Sequence, residues 1–289
     1  MIDFIANGKA GYGRSFLKTK KIICKILDEK GIEYKFHLTE YPKHAIKIAR
    51  DLCENGATTI VAIGGDGTVN EVLNGIDVEK VNFGIIPHGS GNDFVDTVNI
   101  PKKVEEALTL ILNNEAKPTD FLVCDGVRGL NIIGTGIDVE ILQRCEQYKI
   151  FKGKLKYLIS LIISLIKFRF YDFKLKEGDQ YNDKSAMIIC CCNGKNFGGG
   201  IPICPIAKAE DSQMEFLLVN KMSKAKMAGY FIKLMQGKLL QQPFCDHTTQ
   251  DHVEAVFSHP VTIEIDGELY NDIKFDVHIE KGKLKLFRP

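Results

Sequence analysis

Apolar residues in the first third of the chain fall into short blocks that alternate between two spacings. Ile2–Ala6, Tyr34–Leu38, Thr58–Ile63 and Phe83–Ile86 are brief runs rich in β-branched and aromatic side chains, as strands require. Between them, Phe16–Glu29 places Phe16, Ile23, Ile26 and Leu27 at helical spacing, and His44–Asn55 does the same with Ala45, Ile48, Ala49 and Leu52. Gly31 closes the first helix, and a further helix over Val104–Leu112 ends at Asn113-Asn114. Strands alternating with helices argue for a parallel sheet, with ligands beyond the C-terminal ends of its strands. After Pro118-Thr119-Asp120 the pattern changes. Short β-like runs follow at Phe121–Cys124, Leu130–Ile133, Phe168–Leu175, Ala186–Cys192, Met214–Val219, Val261–Ile265 and Phe275–Ile279, and most are separated by turn residues. They predict an antiparallel sandwich, interrupted by helices over Lys154–Lys167 and Ser223–Lys238. The boundary falls near residue 120: 1–120 an α/β unit, 121–279 a sandwich, and a last strand, Leu284–Phe287, that can belong to either.

The chain is organised around Thr58 to Gly75. A buried strand breaks into Gly64-Gly65-Asp66-Gly67, and a helix starts near Thr68 and stops at Gly75. Thr68 and Glu71 have capping-box spacing, and Gly75 is placed as a C-cap. Glycines at the positive end of a helix leave backbone N–H groups open to phosphate. Asp66 would repel a bare phosphate, which points to a cation or a proton-transfer network between them. Taken alone, the turn has as its alternative reading a tight strand-to-helix connection with an Asp satisfying loop amides.

Composition narrows the classes. With 289 residues, 45% hydrophobic and 26% charged, the chain is ordinary globular material of roughly two domains. A net charge of +1 provides no basic field for nucleic acid. Nine cysteines without a CxxC pair, three of them consecutive at Cys190–Cys192, are neither a disulfide framework nor a zinc site, and fit reduced thiols in a cytoplasmic protein. Met1-Ile2-Asp3 carries no signal-peptide features. The charge-free apolar run Tyr157–Ile166 is about half of the roughly 20 residues that a bilayer needs.

Two more glycine loops follow predicted strands. Gly8 with Gly13-Arg14-Ser15 has Walker A spacing, but arginine replaces the lysine that would reach the β/γ-phosphates, so a P-loop NTPase is not indicated. Gly89-Ser90-Gly91-Asn92-Asp93 follows the strand at Phe83–Ile86. Three such loops at one sheet edge predict nucleotide binding.

These residues carry a family resemblance. GGDGTVNEVLNG followed by GIIPHGSGNDF resembles the diacylglycerol kinase catalytic-domain family, which includes bacterial lipid kinases and the sphingosine and ceramide kinases. The likeness runs on through Asn7–Gly13, Asp120, Asn193-Gly194, Pro205 to Glu215 and Ile265-Asp266-Gly267-Glu268, so it spans essentially the whole chain. GGDGT alone is shared with NAD kinases and phosphofructokinases; Asn92-Asp93-Phe94 separates them. The resemblance implies an N-terminal Rossmann-like α/β nucleotide-binding domain and a C-terminal β-sandwich domain that binds the lipid substrate, with residues 280–289 returning to the first. It implies ATP, Mg2+ and transfer of the γ-phosphoryl group to a lipid hydroxyl, of diacylglycerol or a related alcohol. Carried over by position, Asn7, Gly8, Lys9, Ala10, Gly11, Thr39, Gly65, Asp66, Gly67, Thr68, Val69, Asn70, Glu71 and Ser90 contact nucleotide. Asp66, Asp93 and Asp120 form an acidic network organised through magnesium-bound water. Lys208, Asp211 and Gln213 match a second, structural magnesium site, and Glu268 matches the proton acceptor, with Asp66 the competing choice. Gly8 and Ala10 depart from the family's Pro and Ser, Ser90 stands where Thr is usual, and Ser212 replaces the common Gly after Asp211.

Other features have blander readings. His247 and His252, with Asp246 and Asp251, are read as a polar loop because their spacing suits no helix face. Cys190–Cys192 is read as buried strand and Gly198-Gly199-Gly200 as a flexible loop near the cleft. Phe151–Phe170, with Lys152, Lys154, Lys156 and Lys167, fits either peripheral contact with the inner membrane surface or core packing. The sequence leaves the oligomeric state open, a homodimer included. Besides a lipid kinase, an NAD kinase-like enzyme of a soluble substrate and a non-catalytic nucleotide- or lipid-binding protein remain as alternatives.

Overall fold

The structure is a computed structural model and describes residues 1–8, 14–89, 91–137, 139–141, 143, 163, 164, 168 and 170–289. The expectations for Lys9, Ala10, Gly11 and Ser90, and for most of the helix at Lys154–Lys167, lie outside them.

In the first unit, β1 (Ile2–Ala6), α1 (Arg14–Glu29), β2 (Tyr34–Leu38), α2 (His44–Glu54), β3 (Thr59–Gly64), α3 (Asp66–Gly75), β4 (Asn82–Pro87), α4 (Asp93–Thr97) and α5 (Val104–Asn113) follow in order. The strands pair in parallel as β2-β1-β3-β4. Every residue of β1 is buried, which explains its short, almost unbroken apolar run. Buried Asp3 is the polar member, and its carboxylate meets His37 Nε2 at 2.8 Å. The strand order reverses between β1 and β3, the place at which sheets of this kind hold ligands.

The second unit contains β5 (Lys117–Cys124), β6 (Val127–Gly129), β7 (Ile132–Gly136), β8 (Tyr171–Glu177), β9 (Gln180–Cys192), β10 (Asn196–Phe197), β11 (Ile201–Pro202), β12 (Met214–Asn220), α6 (Lys224–Met235), β13 (Cys245–Gln250), β14 (His252–Phe257), β15 (Ile263–Ile265), β16 (Glu268–Tyr270) and β17 (Phe275–Leu286). At its centre, β9 pairs antiparallel with β7, β8 and β12. Cys190 and Cys192 point into one hydrophobic core and Cys191 into another, so the end of the strand is buried on both faces. β17 ties the units together. It pairs with β14 and β5 in the sandwich, and Lys285 and Leu286 then align in parallel with Asn82 and Phe83 of β4. The two short strands expected at Phe275–Ile279 and Leu284–Phe287 are therefore one long strand, whose register shifts between Glu280 and Leu284 around Gly282.

The polar loop expected around His247 and His252 is instead two strands. β13 pairs with β12, while β14 pairs with β8 and β17. β13 has one neighbour and shows most of its side chains to water, which keeps its sequence polar. In β14, Val253 and Ala255 alternate inward between polar neighbours. The histidines pair with acids on adjacent strands, His247 with Glu215 and His252 with Asp276, so they form cross-strand pairs.

Candidate active site

The glycine turn is shaped by close approach. Helix α3 begins at Asp66 with Gly65 as its N-cap, so the Thr68–Glu71 capping box does not form. Glu71 instead caps the neighbouring helix α2, its carboxylate accepting from Lys43 N at 2.9 Å and Ala45 N at 3.1 Å. None of Gly64, Gly65, Gly67, Gly89 and Gly91 has positive φ. A Cβ at Gly64 would lie 2.4 Å from Thr68, and one at Gly89 would lie 2.4 Å from the Gly65 Cα. The turns after β3 and β4 thus touch backbone to backbone, which only glycine permits. Gly75 is no left-handed cap either; a Cβ there would meet Ile46 O of α2 at 2.4 Å.

Two carboxylates converge on these turns. Asp66 Oδ2 accepts from Asn92 N at 2.7 Å, in a loop where Asn92 takes the left-handed conformation at φ 63°. Asp93 Oδ2 accepts from Gly199 N at 2.8 Å, while its Oδ1 is buried and has no hydrogen-bond partner among the described residues. Burial pushes the Asp93 carboxyl up from the usual carboxylate range; the Gly199 N–H opposes this and the charge of Asp66 adds to it. Gly198, Gly199 and Gly200 all have positive φ, which turns the amide of Gly199 onto Asp93, so this turn is part of the site.

Two recesses flank the glycine turn. One, of about 320 Å³, is lined by Asp66, Asp93, Phe94, Asn131 and the Gly198-Gly199 turn. The other is lined by Asn7, Thr39, Tyr41, Thr68, Glu71 and His88. Gly65, Gly67, Gly89 and Glu268 belong to both walls. Glu268 is exposed at the start of β16, with Oε1 3.2 Å from where a Cβ on Gly67 would stand. The open N–H groups at the start of a ten-residue helix and a carboxylate therefore meet at the ridge between the two spaces.

Several expected residues are placed elsewhere. Asp120 does not line the cleft: its Oδ2 accepts from Ser212 N at 2.8 Å and its Oδ1 from Gly282 N at 2.6 Å, which braces the 209–212 loop and the bulge of β17. Asn70 turns inward to Arg128 O and Asp266, and Val69 is buried on the side of the Asp66 cleft. Gly8 lines neither recess; its Cα faces Leu38. Asp211 Oδ1 accepts from Gln213 N at 3.1 Å, and among the described residues no group of three or more His, Cys, Asp or Glu side chains is arranged to hold a metal. The loop from Lys208 to Gln213 thus has the carboxylates of Glu210 and Asp211 in it and that of Asp120 against it, with Asp211 engaged at one oxygen. Ser212 takes a left-handed φ of 61°, the conformation that glycine suits.

Asp266 was legible only as part of the motif, yet it holds the site in shape. Its carboxylate is turned inward and accepts from Leu130 N at 2.7 Å, Asn131 N at 2.8 Å, Ile132 N at 3.0 Å and Asn70 Nδ2 at 3.0 Å. It thereby ties the Glu268 turn to α3 and to the Asn131 wall of the cleft. Burial raises its pKa, and these donors oppose the shift. Arg128 Nη1 donates to Leu73 O and Ile76 O and fixes the other end of α3.

Comparison with known proteins agrees with this architecture. The pattern of the "Diacylglycerol kinase catalytic domain" family matches residues 2–124, and that of the "YegS C-terminal NAD kinase beta sandwich-like domain" matches residues 131–288. The chain is 27% identical over 271 residues to a "Probable lipid kinase YegS-like" of Cronobacter sakazakii, covering 92% of this chain and 89% of that protein. A relative with the same description from Xanthomonas euvesicatoria is also 27% identical, over 91% of this chain and 89% of that one. A crystal structure of a diacylglycerol kinase from Bacillus anthracis str. Sterne superposes with TM-score 0.75 at 21% identity, over 100% of this chain and 96% of that one, and so shares the fold.

Proposed function

Since the chain belongs to the diacylglycerol kinase catalytic-domain family, with a YegS-type C-terminal sandwich, we propose that it transfers the γ-phosphoryl group of ATP to the hydroxyl of a lipid alcohol such as diacylglycerol. The observation that carries this reading is the ridge shared by the two recesses, where Gly65, Gly67, Gly89 and Glu268 face both. A nucleotide on the Thr39 and Thr68 side and an acceptor on the Asp93 side would meet across it. The lipid-kinase descriptions of the relatives support the same assignment.

Phosphoryl transfer is catalysed mainly by positioning and charge neutralisation, commonly with a hard divalent cation. Asp93 Oδ1, buried and unpartnered, with the Asp66 carboxylate on the same cleft, is the oxygen donor set that magnesium takes, so the cleft fits this ion. Held by Asp66 and Asp93, magnesium would supply neutralising charge to the phosphates. At the Lys208–Gln213 loop, Asp120 accepts from two backbone amides and Asp211 from one, and no step of the transfer is assigned to it.

The chain's own groups account for the remaining steps. The first-turn N–H groups of α3 have no partners within the helix and cradle phosphate oxygens. Glu268 accepts the proton of the attacking hydroxyl, a contribution of about 10²–10⁴-fold. Asp266 acts through Glu268 as a positioning residue, since its four hydrogen bonds fix the turn that carries the base.

Incubation with γ-labelled ATP, magnesium, a panel of lipid alcohols and NAD+ tests the reading. Label in the organic phase is expected. Label on NAD+ alone would favour the soluble-substrate alternative, to which the NAD kinase-like description of the sandwich lends its one support. Label in neither would leave a binding protein.

A further inference from the structure

Two aromatic rings stand largely exposed among the described residues, Tyr181 at 44% and Tyr41 at 53%. Tyr181 is occupied: its hydroxyl donates to Glu254 at 2.6 Å, and the Lys176 ammonium lies over its ring at 5.9 Å. Tyr41 is held differently. Its ring stacks on that of His44, with centroids 4.2 Å apart and planes 11° from parallel. One face of the phenol is thereby covered, so its exposed area belongs to the other face and the edge. A lone exposed aromatic residue is ordinary on a protein surface. A ring backed by a second ring, with its outer face open, is a stacking surface.

The chain around this pair is fixed at several points. Tyr41 O accepts from His44 N at 3.2 Å. Glu40 N donates to His44 Nδ1 at 3.1 Å, so the imidazole accepts there and carries its proton on Nε2. Lys43 takes a left-handed φ of 65°, uncommon for a residue with a Cβ, and both oxygens of Glu71 are spent on the Lys43 and Ala45 amides. Backbone strain and a committed carboxylate on a surface loop suit a segment kept in shape for a ligand.

The position of the ring matters as much as its support. Tyr41 lines the recess beside the glycine turn together with Thr39, Thr68 and His88. At about 500 Å³ that recess has the size of a small-molecule site. Glu71, which anchors the loop, stands four residues after Gly67, one turn or about 6 Å along α3. Phosphates on the first-turn N–H groups therefore leave the sugar and base of the same molecule beside the loop. The N–H groups alone hold any polyphosphate equally. A base is a flat aromatic body, and a phenol ring holds such a body by stacking.

We propose that Tyr41, backed by His44, is the surface on which the nucleotide base stacks. On the kinase reading, on which this step rests, the glycine turns hold the phosphates and Tyr41 distinguishes a nucleotide from a bare polyphosphate. The test is calorimetric titration of the full chain with magnesium–ADP and, separately, with inorganic tripolyphosphate. Loss of one base stack costs about 5- to 150-fold in affinity. Tyr41→Ala should weaken ADP binding by that factor and leave tripolyphosphate binding at its wild-type value, because tripolyphosphate has no base. Tyr41→Phe keeps the ring and should restore ADP affinity. The chain has no tryptophan, so Tyr41→Trp adds a single indole whose fluorescence ADP should quench and tripolyphosphate should not.

Unchanged ADP affinity in a Tyr41→Ala protein with a wild-type melting curve overturns the proposal. So does an equal loss for ADP and tripolyphosphate, or equal quenching of the indole by both, because the loop would then only shape the phosphate cradle. Binding is read without turnover, which separates the two claims. ADP affinity indifferent to Tyr41 would strike out the base platform and leave the kinase reading in place. A protein whose ADP affinity follows Tyr41 as described, but that phosphorylates no lipid alcohol, would refute the kinase reading and leave the platform standing.

Discussion

Asp93 and Asp120 are both buried acids in the same family-derived set, and the regions around them use the carboxylate in opposite ways. Burial raises the pKa of both. Asp120 spends both oxygens on backbone amides, of Ser212 and Gly282, and so locks a loop to the bulge of the C-terminal strand. Asp93 spends one oxygen on Gly199, in a glycine turn exposed to water, and keeps the other buried on a cleft, without a partner among the described residues. An acid whose lone pairs are all taken holds structure. An acid held at a cost with a lone pair open to a cleft is kept for a ligand.

Alanine at each position should separate the two uses most widely. Asp93→Ala should lower phosphoryl transfer by at least about 10²-fold, the scale of losing an electrostatic stabiliser. It should move apo stability little, because the exposed Gly199 amide can turn to water. Asp120→Ala should do the reverse, costing about 1–3 kcal/mol for two amides left without an acceptor, with turnover per folded molecule retained. Kinetics and denaturant melts of both proteins check the pair, and an equal loss of turnover in both would erase the distinction.

The raised pKa of Asp93 gives a pH dependence with a definite sign. Its native form binds a proton more tightly than the unfolded chain does, so its contribution to stability is present at low pH and is lost as pH rises through the raised value. Cation binding requires the ionised form. Magnesium-dependent nucleotide affinity should therefore weaken on acidification at pH values above the ordinary carboxylate range, while the apo protein gains from protonation at Asp93. Calorimetric titrations across that range read both, and Asp93→Asn should abolish the affinity change.

The smallest effect belongs to the Asp120 side. Ser212 has a left-handed φ of 61°, a conformation that glycine adopts without strain. Ser212→Gly should stabilise the protein by up to about 1 kcal/mol, seen as a rise in Tm with turnover unchanged. A fall in Tm would show that the serine side chain contributes more than the backbone strain costs.

These contrasts also show where the sequence was legible. The α/β unit could be read because three of its four strands, β1, β3 and β4, are largely buried and its helices have clean apolar stripes, as in α2. The glycine motif located the ridge, but the cause of its composition was hidden: Gly89 is required by the Gly65 backbone beside it, a contact between different loops. Glu71 has local capping-box spacing and serves a neighbouring helix instead, because tertiary proximity overrides the local pattern. β13 escaped notice because an edge strand facing water reads as a polar loop. The Asp266 clamp joins residues about 136 and 196 positions apart along the chain, a separation at which no periodicity carries a signal. Asp93 and Asp120 look alike in sequence, and only their partners distinguish them.

The central claim is that Glu268, on the ridge between the two recesses, is the base. Glu268→Gln keeps the shape of the side chain and removes its basicity. Steady-state turnover of a lipid alcohol should fall about 10²–10⁴-fold, while calorimetric affinity for magnesium–ATP and the melting temperature stay at wild-type values. Near wild-type turnover by Glu268→Gln would contradict the account and transfer the proton-accepting role to Asp66.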